Sequence, residues 1–282
     1  MAYPIVRIDP DTAGRERSPA LWRNVLEKYD ADRSLGVLRS DDFRQPVPVT
    51  AVDALTVNGW WTSDCGLAGA DTELHSTVGS HPDGHFTLSA ATATDFEGTK
   101  MQAGQSATVG EGVVLPTATT NPKSTVVFEW RGELLATKNS TLFIGLAEQV
   151  AVTGLLTAAA NAITATCDLV GFYRLDDGNL LFVVQEGTGA VVYSVPIVLA
   201  ADVPNTADLQ TKLGFRVNND STVEVFVNGA RIRKTTAGAT LAVTTTALPL
   251  GPLSRTIAAA AGDDGITPSV IVSDYCDVYV AE

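Results

Sequence analysis

From about residue 41 onward, apolar residues recur at every second position in short runs bounded by turn residues, the pattern of half-buried β-strands. Phe86-Thr87-Leu88-Ser89-Ala90 alternates in this way, and so does Thr125-Val126-Val127-Phe128-Glu129-Trp130. Thr141-Leu142-Phe143-Ile144-Gly145-Leu146 is nearly continuous in apolar character, which predicts a strand covered on both faces. Gly171-Phe172-Tyr173-Arg174-Leu175 and Leu180-Leu181-Phe182-Val183-Val184 flank Asp176-Asp177-Gly178-Asn179, a strong hairpin signal. A second hairpin is predicted where residues 212–217 and 222–227 flank Asn218-Asn219-Asp220-Ser221. Asn228-Gly229 then turns the chain directly into Ala230-Arg231-Ile232-Arg233, and further runs lie at 191–195, 269–272 and 276–280. Many short strands with hardly a helix among them predict an all-β fold, a two-sheet antiparallel jelly-roll sandwich. No internal repeat of fixed period is present, which argues against a propeller or solenoid.

The first 40 residues follow a different rule. Ser18-Pro19 reads as a helix start, with Ser at the N-cap and Pro at the first helical position. Leu21, Trp22, Val25, Leu26 and Tyr29 then fall on one helical face. Residues 2–17, with Pro4, Pro10 and Gly14, read as extended chain ordered by contact with something else. The expected organisation is therefore an N-terminal arm with a short amphipathic helix over 1–40, then a jelly-roll domain over 41–282. A helix of about three turns is marginal alone in water, so its apolar face must pack. Two destinations are open: its own sandwich, or a neighbouring subunit, which makes Leu21, Trp22, Val25, Leu26 and Tyr29 the partner-interface candidates.

Composition narrows the function. The net charge is −13 over 282 residues, which repels phosphate backbones and anionic lipid. Neither a nucleic-acid nor a membrane partner is expected. No basic start leads into an apolar run, and no 18 consecutive residues are apolar, so neither a secretory signal nor a membrane span is predicted. Cys65, Cys167 and Cys276 are odd in number and far apart, which fits a reducing compartment and small core residues better than a disulfide framework.

A search for chemistry finds no enzyme signature, and no cofactor is expected. Glycoside hydrolysis needs two carboxylates facing each other across a cleft. Glu129 and Glu133 could share a strand face, but Gly132 interrupts the run between them and no third acid accompanies them. His75, His81 and His85 lie close together in a turn-like stretch without the spacing of a metal site. Gly262-Asp263-Asp264-Gly265 and Asp176-Asp177-Gly178-Asn179 offer oxygen ligands, yet such turns need no calcium. The weakly apolar stretches 151–166 and 235–247 read as long loops suited to protein contacts.

One resemblance rests on the order of several segments. Asp41-Asp42-Phe43 and Asn58-Gly59-Trp60-Trp61 are followed by Val127-Phe128-Glu129-Trp130-Arg131 and Leu142-Phe143-Ile144-Gly145-Leu146-Ala147-Glu148. Val170-Gly171-Phe172-Tyr173, Leu213-Gly214-Phe215-Arg216-Val217 and Val225-Phe226-Val227-Asn228-Gly229 complete the series. Over residues 41–282 the chain resembles the concanavalin A-like, or laminin-G-like, jelly rolls of structural proteins in tailed bacteriophage virions. That resemblance implies a role in the virion; together with the acidic charge, the N-terminal arm and the missing catalytic and secretory signals, it leads to the expectation of a capsid decoration or cement protein, made in the host cytoplasm and placed on the capsid surface. Its partners would be the major capsid protein and neighbouring copies of itself in a homo-oligomer. The same fold supports an alternative, a carbohydrate-binding module of a tail fibre or adhesin that takes a glycan, with Trp60, Trp61 and Tyr173 as aromatic candidates.

Overall fold

In a computed structural model, the structure describes residues 17–23, 25, 36–41, 56–58, 61–64, 86–89, 98–103, 125–135, 140–148, 156–157, 162–163, 169–174, 180–186, 190–197, 211–218, 222–234, 250–258 and 270–281. The early strands are β1 (Gly36–Asp41), β2 (Thr56–Asn58), β3 (Trp61–Asp64), β4 (Phe86–Ser89) and β5 (Gly98–Ala103). The middle of the chain forms β6 (Thr125–Leu135), β7 (Ser140–Glu148), β8 (Leu156–Thr157), β9 (Ala162–Ile163), β10 (Leu169–Arg174), β11 (Leu180–Glu186) and β12 (Ala190–Ile197). The remainder are β13 (Thr211–Val217), β14 (Val223–Val227), β15 (Ala230–Lys234), β16 (Leu250–Ala258) and β17 (Val270–Ala281).

Among the described residues every strand pairing is antiparallel. One sheet has seven strands in the order β1-β17-β6-β13-β14-β15, with β4 joining β17 as well. The other has eight, in the order β12-β11-β10-β7-β16-β5-β3-β2, and β8-β9 make a separate small ribbon. This is the two-sheet jelly-roll sandwich that the alternation predicts. β1 begins at Gly36 and pairs with β17 over its length, so the sandwich draws a strand from the stretch expected to be arm.

Alternation along β6 sorts its residues between two environments. Phe128 and Trp130 turn inward, where Phe128 stacks on Phe215 of β13 with ring centroids 5.0 Å apart. From the facing sheet, Phe182 approaches Phe215 to 5.5 Å and Phe172 to 6.4 Å, while Phe172 and Phe182 meet edge to face at 5.1 Å. All four rings are essentially inaccessible to solvent. Offset and tilted aromatic pairs of this kind add about 1 kcal/mol each beyond their burial. They also fix which face of each strand is inner.

The turns follow local chemistry. Asn228 and Gly229 both have positive φ, 49° and 77°, as a two-residue hairpin with the favoured twist requires. Asn228 is stitched back to β13: its amide donates to the Lys212 carbonyl (2.8 Å), and its Oδ1 accepts from the Lys212 amide (2.9 Å). The β13–β14 turn closes through the Asn218 amide and the Thr222 carbonyl at 2.8 Å, with Asn218 Nδ2 donating to Thr222 Oγ1 at 3.0 Å.

Candidate functional site

Two outward faces could carry function, one on each sheet. The outward face of the seven-stranded sheet presents Val127, Glu129 and Arg131 on β6, Gly214 and Arg216 on β13, and Phe226 on β14. A short strap, residues 17–25, lies across it. Leu21, Trp22 and Val25 form one buried cluster with Val127 and Phe226 of the same chain. Leu21 sits over Gly214, where an added Cβ would overlap its Cδ2 methyl.

The strap is anchored by a carboxylate. Glu129 is 1% exposed, and its side chain accepts from the Ser18 amide at 3.1 Å to each oxygen. Ser18 Oγ donates to Oε1 and Trp22 Nε1 donates to Oε2. A buried carboxylate is tolerable only when hydrogen-bonded in this way. Arg17 stacks over the Trp22 ring, 5.3 Å from its centroid, and Arg216 Nη1 donates to the Arg23 carbonyl at 3.2 Å. A cation over the largest aromatic face contributes roughly 1 kcal/mol or less when exposed.

Locally the strap departs from the expected helix. Ser18 does accept the first backbone bonds, from the amides of Leu21 and Trp22 at 3.0 Å, as an N-cap carbonyl should. Its hydroxyl, however, is spent on Glu129 rather than on the strap's own amides. The described residues after Ser18 form turns, closed further by a Val25 amide to Trp22 carbonyl bond at 3.0 Å. Tertiary contacts outweigh helix propensity in so short a segment. Of the five interface candidates, Leu21, Trp22 and Val25 are 0%, 3% and 5% exposed in the isolated chain. Leu26 and Tyr29 lie outside the described residues, as do residues 2–16 of the arm.

The second face belongs to the eight-stranded sheet, and register assigns it. Phe172 turns inward, so Leu169, Gly171 and Tyr173 take the outward positions of β10. Their row partners are Ala147, Gly145 and Phe143 on β7, and Val183 and Leu181 on β11 also fall outward. Gly145 and Gly171 are direct partners. A Cβ on Gly171 would come within 2.7 Å of Gly145 Cα and 2.9 Å of the Phe143 ring. Phe143 therefore lies over the glycine pair and is fully buried, while Tyr173 is 7% exposed.

Beyond β7 the outward rows change character. Phe143 pairs with Arg255 of β16, Arg255 with Lys100 of β5, and Lys100 with Asp64 of β3. The adjacent row runs from Gly145 through Leu253 and Gln102 to Thr62. Thr62, Asp64, Lys100, Gln102 and Arg255 thus form one polar register block on three neighbouring strands. Trp61 belongs to β3 but is out of phase with this block, since its partner is Ala103. Trp60, the three histidines, Cys65, Cys167 and the Gly262–Gly265 turn lie outside the described residues. Among the described residues no group of three metal-ligating side chains comes together.

Comparison with known proteins is informative only at the level of fold. No protein-family profile matches the sequence, and no curated protein matches it. Solved structures do match. The carbohydrate recognition domain of Emp47p aligns with a TM-score of 0.54 and 10% identity over 89% of this chain and 99% of that one. The catalytic domain of an endo-1,3-β-glucanase (laminarinase) from Thermotoga petrophila RKU-1 gives 0.52 and 12%, over 86% and 97%. An endo-β-1,3-glucanase from Pyrococcus furiosus gives 0.50 and 14%, over 86% and 94%. The chain thus has the concanavalin A-like jelly-roll fold. The capsid-decoration expectation draws nothing from these likenesses.

Proposed function

We propose that this chain is a non-catalytic carbohydrate-binding jelly roll. The carrying observation is the polar register block of Thr62, Asp64, Lys100, Gln102 and Arg255 on the outward face of the eight-stranded sheet. Adjacent strands stand about 4.8 Å apart, so register positions on three neighbouring strands span a width comparable with two sugar rings. The fold shared with a carbohydrate recognition domain and two glucanases supports this reading by analogy only.

The placement of the acids supports binding without cleavage. The outward positions of β7, β10 and β11 are apolar residues, glycines, Thr141, Tyr173 and Gln185. In the described rows from β11 to β3, Asp64 is the one outward carboxylate, and hydrolysis by an acid pair needs two.

The test is a glycan microarray probed with the full chain, beside an assay for new reducing ends on the bound polysaccharide. Saturable binding to a defined glycan class without cleavage supports the proposal. A blank array, joined to a fixed stoichiometry in purified phage particles, would favour a capsid decoration role instead.

A further inference from the structure

Charge on the seven-stranded sheet runs against the charge of the chain. Its outward face and the strap across it hold Arg17, Arg23, Arg131, Lys212, Arg216 and Arg231. Register groups the sheet residues: Arg131 stands opposite Lys212, Arg231 opposite Phe226, and Arg216 between Val127 and Glu224. Among the described side chains Glu129 and Glu224 are the two carboxylates of that face, so six cations meet two anions, a surplus of four. The whole chain has a net charge of −13, so its remaining residues carry −17. Register adds Lys234 to this face, and Asp277 and Glu133 farther along it, which leaves the surplus positive.

Both described carboxylates are already engaged. Glu129 is enclosed beneath the strap, and Glu224, with 13% of its side chain exposed, takes Arg231 in a 2.8 Å ion pair. Arg231 still exposes 54% of its side chain. Ile232, the extra residue of a bulge in β15, is exposed next to it. Arg23 is exposed on the strap, and its carbonyl accepts from Arg216 Nη1 at 3.2 Å, which spends that donor on a neutral group. Among the described residues neither Arg23 nor Arg216 has a carboxylate partner. Cations on an edge strand deter unwanted pairing, which accounts for Arg231. It does not account for Arg23 on the strap or for Arg216 on an inner strand.

We infer that this basic face docks the acidic surface of a second copy of the chain, with Arg23, Arg231 and Ile232 at the centre of the contact. The inference is independent of the carbohydrate-binding reading. Charge complementarity selects the occupant, since every copy carries the −17 that the basic face lacks. Two basic faces repel, so the contact joins unlike surfaces, and it propagates into a ring or an open chain instead of stopping at a two-fold dimer. Exposed arginines beside an apolar side chain have the composition of an interface centre. Salt acts in two directions. At about 0.01 M the Debye length is roughly 30 Å, and the net charges of whole copies repel one another. At about 0.15 M it is roughly 8 Å, so that repulsion is screened while charges in contact still attract.

Sedimentation velocity on the full chain, over a concentration series at about 0.01, 0.15 and 1 M salt, is the test. Association should be strongest at the middle salt and weaker at both ends. Arg23→Glu should weaken it at least about tenfold, and Arg231→Gln by a smaller factor. Thermal melting of each variant separates a lost contact from a lost fold. The Arg23→Glu variant keeps its acidic surface, so an excess of it should cap the wild-type chain and shorten the assemblies. A monomer under all three conditions overturns the inference. So does a dimer that a folded Arg23→Glu variant leaves unchanged, or association that only rises with salt. A chain that stays monomeric yet binds poly-glutamate assigns the basic face to a different acidic partner and overturns self-docking as well.

Discussion

Ser18 and Glu129, 111 residues apart, are joined through two groups of the same serine: its amide and its hydroxyl both donate to the buried carboxylate. The Trp22 indole adds a third donor from the strap. One side chain of β6 therefore holds the turn that lays Leu21 and Trp22 across the sheet.

Glu129→Ala should accordingly be costly. It leaves three donors of the strap without their acceptor, in a site where Glu129 is 1% exposed. Breaking a buried charged hydrogen-bond set typically costs about 3–5 kcal/mol. Urea denaturation should show a loss of that order. A change below about 0.5 kcal/mol would mean that the carboxylate does not secure the strap.

Leu21 and Gly214 should be energetically coupled. Gly214→Ala pushes a methyl into Leu21 Cδ2, the movable end of a side chain, and stands 3.1 Å from the Phe128 carbonyl oxygen. Overpacking of this kind costs about 1–3 kcal/mol, and Leu21→Ala about 2–5 kcal/mol from the cavity it leaves. In the double variant the methyl fills part of that cavity. A double-mutant cycle should return at least about 1 kcal/mol of favourable coupling, and simple additivity would contradict the packing described.

The Gly145–Gly171 pair should behave in the opposite way. A Cβ on Gly171 meets backbone first, the Ile144 carbonyl oxygen at 2.5 Å and Gly145 Cα at 2.7 Å, before it meets the Phe143 ring. Gly171→Ala should cost more than about 3 kcal/mol, or prevent folding, as read from soluble yield and denaturation. Adding Phe143→Ala should not rescue it. Rescue would show that the ring, and not the backbone, sets the requirement for glycine.

Deleting residues 1–25 should uncover Val127 and Phe226, which the strap buries. The truncated chain should bind a hydrophobic-surface dye and melt earlier than the full chain. A synthetic peptide spanning residues 15–27 should reverse both effects when added in trans. Truncation without dye binding or destabilisation would place the strap's contribution near zero.

Much of the fold was legible where the deciding interactions are local. Asn228-Gly229 and the 218–221 turn announce their hairpins because positive φ and Asx chemistry belong to the residues themselves. The inward aromatics could be read from alternation alone. β16 could not: Gly251 and Pro252 interrupt its pattern, and Pro252 pairs with Leu146 of β7 just before the β5 ladder begins at Leu253, a strand position where a proline is unexpected. Without β16 there is no row linking Arg255 to Lys100, so the polar block is invisible in the sequence. Glu129 did leave a signal, a lone acid in the apolar run Val126-Val127-Phe128-Glu129-Trp130. Its partners are strap residues that no local rule connects to it.

β17 lies between β6 on one side and β1 and β4 on the other, and three of the six pairings in its sheet pass through it. It is also the last described strand to leave the ribosome. Until it emerges, β1 and β4 lack the strand they pair with, and β6 has an open edge. Assembly of this sheet must therefore wait until residues 270–281 have emerged instead of proceeding strand by strand. Such long-range closure is slow, and an open edge awaiting its partner is what holding chaperones recognise in a nascent chain.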